Sequence, residues 1–462
     1  MAEPWLGIVE KGTEFFATAQ VEVCARRTGF VRRTSKLTGK AFLALVTLGT
    51  WSIRKTSLAQ LAAKAAQLPT PVDVSPEALH QRMTRRAVVF LQAMLQRAFA
   101  QLPTGNPVCS TELFASFTAV HIADSTGFAL PATLKDCFPG NGGGASVAGA
   151  KLQLVWEYLS HSFAHLALMA GTTPDNKYID TVVQLAQRGA LFLFDLGYFK
   201  MQALAQLAEA EAYFLTRHQH QAALFEAVAG RLSPVELAAW VCTEPQPLVE
   251  KPLYLGAQER VAIRLIAARM PDPVVNERRR KARRAARKRG YTPSQAHLTL
   301  MAWNLFITNV PETIWTPATV CKAYSLRWQV ELVFKSWKSD LHLATVPTKT
   351  ETPTLCYLYG RLLLLVLAYA LCPALRTVLW THQQRELSFL KLIRYLQALA
   401  ERWLQALFES TASLRSFLSH VCLSAQRVVA KASRKRRTSA QRLRQSLESQ
   451  HDSIKLTIKL AA

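Results

Sequence analysis

Acidic residues are scarce in this 462-residue chain: 31 Asp and Glu stand against 56 Lys and Arg, a formal net charge of +25. An excess of that size attracts polyanions over long range, and nucleic acid is the first candidate partner. Paired cysteines are missing as well. Cys24, Cys109, Cys137, Cys242, Cys321, Cys356, Cys372 and Cys422 are scattered without short paired spacing, which indicates neither a zinc site nor a disulfide framework and predicts reduced thiols. Long apolar runs are absent too. The longest, Leu362 to Cys372, lies between Arg361 and Pro373 and falls well short of the roughly 20 residues that span a bilayer, so a buried helix is expected there and no membrane partner. The first residues carry Glu3, Glu10 and Glu14 and no basic-then-apolar leader, so secretion is not expected.

Bulk is present: half of the residues are hydrophobic, with 21 Phe and 10 Trp, enough to build a substantial core. The length exceeds the usual single core, which predicts a central domain with appended pieces. The basic residues concentrate in three places. One is Arg26 to Lys40, including Arg32 and Arg33, and a second is the tail from Arg427 to Arg444. The densest is Arg278 to Arg289, where Arg278, Arg279, Arg280, Lys281, Arg283, Arg284, Arg287, Lys288 and Arg289 crowd together. Such a run repels itself until a polyanion neutralises it, which favours DNA-backbone contact over a merely solvated face.

Periodicity predicts five segments. Residues 1–110 read as a helical DNA-binding region in which Ser57–Ala66 and the helix starting at Ser75-Pro76 resemble a helix-turn-helix, with an ordinary helical hairpin equally compatible. Residues 111–232 read as strand, strand, strand, helix, strand, helix, strand: Val120 to Asp124, Lys151 to Tyr158, Phe163 to Met169, a helix within Asn176 to Arg188, Leu191 to Asp195, a helix through Leu204, and Tyr213 to Thr216. Gly140 to Gly149 is expected to be a flexible connector. Residues 233–300 read as a β-rich insertion carrying the basic run, with strands at Leu237 to Val241, Pro252 to Leu255 and Val261 to Ile266. Residues 301–350 supply the strand Trp303 to Thr308 and a final helix, and 351–462 are helical with a basic tail. The succession is that of an α/β, RNase H-like core, a mixed sheet flanked by helices.

Asp124 and Asp195 each end an apolar strand before turn-forming residues, although single acids in such places are most often turn or cap residues. Asp136, in Lys-Asp-Cys, is a less suitable first acid because it falls in a loop. A third acid comes from a helix expected to begin at Tyr324. There Tyr324, Arg327, Glu331 and Lys338 step by three, four and seven residues along one stripe, while Val330, Val333, Phe334 and Trp337 form the adjacent apolar face. An exposed helix with an Arg327–Glu331 ion pair has the same spacing. Three acids on separate elements nevertheless suit two divalent ions, which take hard oxygen ligands and clamp the attacking and leaving oxygens of a phosphoryl displacement.

The Tyr-x2-Arg-x3-Glu-x6-Lys pattern at Tyr324, Arg327, Glu331 and Lys338 resembles the YREK signature of bacterial insertion-sequence DDE transposases of the insertion sequence four family. Ala-Asp124-Ser-Thr and Phe-Asp195-Leu-Gly-Tyr-Phe resemble its first and second acidic blocks, although Ser125-Thr126 replaces the more familiar glycine after the first acid. Gly29-Phe-Val-Arg-Arg is similar too, and the likeness covers roughly residues 20 to 375. It implies that Asp124, Asp195 and Glu331 bind two Mg2+ or Mn2+ ions, that Tyr324 and Arg327 hold a phosphate, that Lys338 contacts the DNA backbone, and that Trp303 stacks on an extruded base. It implies a transposase that binds terminal inverted repeats, cleaves the ends and joins 3′-hydroxyls to target DNA. A dimer on double-stranded DNA and a location with the nucleoid in a bacterial cytoplasm are expected. A catalytically inactive DNA-binding descendant and a stand-alone nuclease are the competing functions; intact acids argue against the first, and the insertion and basic arms against the second.

Overall fold

The structure, a computed structural model, describes residues 6–51, 56–102, 112–143, 145–339, 345–383 and 385–431. The basic tail beyond 431, including Arg434 to Arg437, lies outside them. The chain divides into two compact units. One takes its described residues from 6–102, 125–173 and 330–431, the other from 112–124 and 174–329.

The first unit is mostly helical, as the N-terminal sequence predicts. Ser57 caps the helix Leu58–Ala66 through a reciprocal capping box with Gln60, Ser75 caps Pro76–Arg82 with Pro at its start, and Thr84 caps Arg85–Gln101. The apolar run expected to be a buried helix fills the second half of Glu351–Ala370, a helix buried on nearly every side, and ends at Cys372, where the helix Cys372–Gln383 begins. Residues Glu351–Gln383 are long and apolar enough to cross a membrane by composition, but 83% of their most apolar window is buried inside the protein. Gly360 is what lets this helix approach Gly39–Val46: a Cβ there would collide with the Val46 carbonyl oxygen. The unit also holds the antiparallel strands β2 (Gly149–Glu157) and β3 (Ser162–Ala170), turned at His161 with φ of 57°.

The second unit is built on a mixed sheet. Its strands are β1 (Val120–Ala129), whose first four residues pair here, β4 (Leu191–Phe194), β5 (Tyr213–Arg217), β6 (Leu224–Val228), β7 (Arg231–Pro234), β8 (Leu248–Leu255), β9 (Val261–Arg269) and β10 (Trp303–Thr308). β1, β4 and β5 are parallel neighbours; β10 pairs antiparallel with β5, and β9, β8, β6 and β7 follow antiparallel. β4 reads Leu-Phe-Leu-Phe without polar alternation because, as a central parallel strand, it is buried on both faces. The helix Met201–Glu209 supplies the β4 to β5 crossover that parallel pairing requires. The β6–β7 hairpin turns on Ala229 and Gly230, both at positive φ, the geometry that matches strand twist.

Several expectations need correction. Leu237 to Val241 is not a strand but the start of a helix, Leu237–Thr243, since Leu237 and Val241 repeat at helical spacing around alanines that favour helix. In the stretch read as a β-rich insertion, β9 bonds along β10 over the whole of Trp303 to Thr308. The basic run is helical, in Asp272–Lys288. β1 does not end at Asp124 but continues to Ala129. The final helix does not begin at Tyr324. Thr316 caps a helix at Pro317–Ser325, the chain tightens into a 3-10 turn at Leu326–Trp328, and Gln329–Ser339 follows. The tighter turn breaks the continuous 3.6-residue period, so the four signature residues do not form one exposed stripe.

Candidate functional site

Backbone register places the first two acids. β1 and β4 run parallel with Ala123 opposite Phe194, and the next residue on each strand is an aspartate, Asp124 and Asp195. Neighbouring strands lie about 4.8 Å apart, so the register sets two carboxylates side by side at the C-terminal edge of the paired stretch. Each is met by a donor from the signature segment. Arg327 Nη1 donates to Asp124 Oδ2 at 2.8 Å, in an ion pair whose side chains are 7% and 15% exposed. The Tyr324 hydroxyl donates to Asp195 Oδ1 at 3.3 Å.

Tyr324 and Arg327 are buried at this point, which the expected polar stripe did not foresee. The Tyr324 ring lies 4.9 Å from that of Phe306, with the guanidinium carbons of Arg217 and Arg327 at 5.6 and 5.9 Å from its centroid. Burial first, and then the Asp195 charge, push its hydroxyl up to about 12, so near neutrality it stays protonated and donates. Arg327 is paired with an acid, Asp124, as a buried guanidinium requires.

Glu331 is half-buried in the first turn of Gln329–Ser339, in the other unit. The apolar face expected beside it is present: Val330, Val333, Phe334 and Trp337 are all buried. Trp337 packs edge-on against Phe163 at 5.4 Å and Phe334 at 5.3 Å. Lys338 is exposed.

Trp303 is 7% exposed at the start of β10, where its ring is part of the core, so it does not offer the surface that base stacking needs. Trp328 does. It is 55% exposed, and the Arg327 guanidinium lies 5.5 Å from its ring. Its place next to Arg327 in the signature was the available signal. Arg32 and Arg33 are exposed, following the Gly29 turn. Asp136 sits in an exposed turn, as part of the first unit.

Among the described residues, no group of three or more His, Cys, Asp or Glu side chains is gathered as a metal site. Two in-register carboxylates are nevertheless the hard oxygen donors that Mg2+ or Mn2+ takes, and their chemistry fits a divalent cation.

A transposase DDE domain model matches residues 115–367. The chain is 27% identical over 425 residues to the transposase for insertion sequence element IS231B of Bacillus thuringiensis subsp. berliner, covering 86% of each. It is 28% identical over 432 residues to that for IS1151 of Clostridium perfringens, covering 88% of this chain and 90% of the relative. A piggyBac transposase synaptic complex with hairpin DNA aligns over 96% of this chain and 88% of that one, at 9% identity and a TM-score of 0.46, too distant to support any argument. With a match across more than half its length, spanning both paired aspartates and the whole YREK segment, the chain belongs to the DDE transposases of bacterial insertion sequences, and its signature is consistent with the insertion sequence four family.

Proposed function

We propose that this transposase binds the terminal inverted repeats of its element, hydrolyses a phosphodiester at each end and joins the freed 3′-hydroxyls to target DNA by transesterification. The observation that carries the reading is the in-register pair Asp124 and Asp195, each bonded by a residue of the YREK segment. On this reading β1 to β5 and β10 form an RNase H-like core, β6 to β9 with the basic helix are its insertion, and the N- and C-terminal helical regions are appended to it.

Asp124, Asp195 and Glu331 would hold two divalent ions, Mg2+ or Mn2+, which when bound activate the attacking oxygen and stabilise the leaving one. Tyr324 holds a proton at its hydroxyl and orients Asp195. Arg327 orients Asp124 and offers a cation to a phosphate; exposed Lys338 meets the backbone further along. Trp328 takes over from Trp303 as the ring on which an unstacked base can rest. Double-stranded DNA is also bound by Arg32, Arg33 and the helix Asp272–Lys288. The acting species is a homodimer that pairs two ends in the bacterial nucleoid.

The test is to incubate purified protein with duplexes carrying authentic element ends and Mg2+, comparing the wild type with Glu331→Gln. The wild type should cut and join while the variant binds without reacting. If both bind equally and neither reacts, the catalytic reading is lost.

A further inference from the structure

The helix Asp272–Lys288 carries the densest charge in the molecule, yet its eight neighbouring cations are not equivalent. Val275, Arg278, Arg279, Ala282 and Ala286 recur at i, i+3, i+4, i+7 and i+11, one face of an α-helix. Val275 and Ala286 are 5% and 0% exposed, so this face is seated on the protein. Two arginines belong to it. Arg278 Nη2 donates to Asn304 Oδ1 at 2.8 Å and its Nη1 to the Trp303 carbonyl at 3.5 Å, while Arg279 Nε donates to the Leu298 carbonyl at 2.9 Å. Their guanidiniums tie the helix to β10 and to the short helix Gln295–Leu300.

The opposite face holds Arg280, Lys281, Arg283, Arg284, Arg287 and Lys288, all exposed. From Arg280 to Lys288 the helix rises about 12 Å. At about 3.4 Å per nucleotide along one strand, that is room for roughly three or four phosphates. One acid intrudes: Glu277 Oε2 lies 2.5 Å from Arg280 Nη2, and its Oε1 lies 3.4 Å from Lys281 Nζ.

We infer that this helix is a rigidly seated rail for one DNA strand: Arg280, Arg283, Arg284, Arg287 and Lys288 contact phosphates, Arg278 and Arg279 are positioning residues, and Glu277 is a built-in competitor that weakens the grip. The inference rests on the DNA-binding reading above and divides its labour. A counter-charge of this kind limits non-specific retention, because each cation held by Glu277 is one that a phosphate has to win.

The experiment measures binding of the full chain to a duplex of arbitrary sequence by fluorescence anisotropy over a salt series. Each phosphate contact contributes about 0.9 to the slope of log affinity against log salt, or roughly fivefold in affinity at 0.15 M salt. Arg283→Gln with Arg287→Gln should lower the slope by about 1.8 and weaken binding roughly thirtyfold. Glu277→Gln should tighten binding about fivefold and steepen the slope. Arg278→Gln should leave the slope at its wild-type value while speeding amide exchange along 272–288, which Arg283→Gln should not do. The inference falls, with the DNA reading intact, if Arg278→Gln lowers the slope as Arg283→Gln does, if Glu277→Gln changes nothing, or if the double variant matches the wild type. A wild-type chain that fails to bind duplex DNA removes both.

Discussion

Asp124 and Asp195 on the one hand, and Glu331 on the other, are like groups placed by unlike means. The aspartates follow from strand pairing: four consecutive register pairs between β1 and β4 put them side by side, and Arg327 and Tyr324 then bond to them. Glu331 is placed by the adjacent face of its helix, where Val330, Val333, Phe334 and Trp337 are buried while the glutamate is left half-exposed. A carboxylate held by register depends on its polar partners, whereas one held by a packed face depends on apolar volume some distance away. Mutations should separate the two.

The largest effect is expected from Trp337→Ala, which empties the ring that anchors the glutamate helix among Phe163, Phe334 and Tyr369. It should cost about 3–5 kcal/mol in denaturant unfolding. Glu331→Gln, which leaves the apolar packing untouched, should cost clearly less than Trp337→Ala. A cost for Glu331→Gln rivalling that of Trp337→Ala would mean that the glutamate is itself part of the support.

Next comes Arg327→Gln. It leaves the mostly buried Asp124 charge without this partner and should destabilise by about 3 kcal/mol, to be read from the same unfolding curves. Asp124→Asn with Arg327→Gln should recover part of that loss, because no buried charge then remains on either side. An additive double variant would show that the pair is not coupled.

The smallest effect belongs to Tyr324. Its hydroxyl is pushed from the ordinary value of 10 up to about 12, so the folded state holds a proton that the unfolded chain releases first. Its contribution is therefore complete below pH 10 and lost as pH rises from about 10 through 12. Tyr324→Phe should cost about 1 kcal/mol at neutral pH and remove one high-pH phenolate transition from an ultraviolet titration. Loss of a transition near 10 instead would place the hydroxyl in water, away from Asp195.

Much of the sheet was legible because its strands are chemically extreme. Leu191 to Phe194 is apolar on both faces, Tyr213 to Thr216 and Trp303 to Thr308 nearly so, and each is bounded or filled by residues that favour strand. Leu237 to Val241 misled because a run of five apolar residues has no period, and only the alanines within it favoured helix. The true extent of β1 was hidden by Ser125-Thr126-Gly127, a turn-like trio that the strand accommodates. At the site, spacing singled out Tyr324 and Arg327, which bond to Asp195 and Asp124, and misjudged their support: the 3-10 turn at Leu326–Trp328 has no strong sequence signature, yet it is where Arg327 leaves the common stripe. Burial of Trp303 was likewise unreadable, since a strand-opening tryptophan can face either way.

Gly360 bears on how copies of such an element should be judged. Insertion sequences multiply and then drift, and a copy is easily presumed active when its three acids survive. The contact with Val46 makes position 360 as unforgiving as any of them, because every other residue brings the Cβ that the crossing helices have no room for. A genome survey that scored this glycine beside the three acids proposed for the site would separate copies able to fold from copies that have kept those acids and lost the body around them.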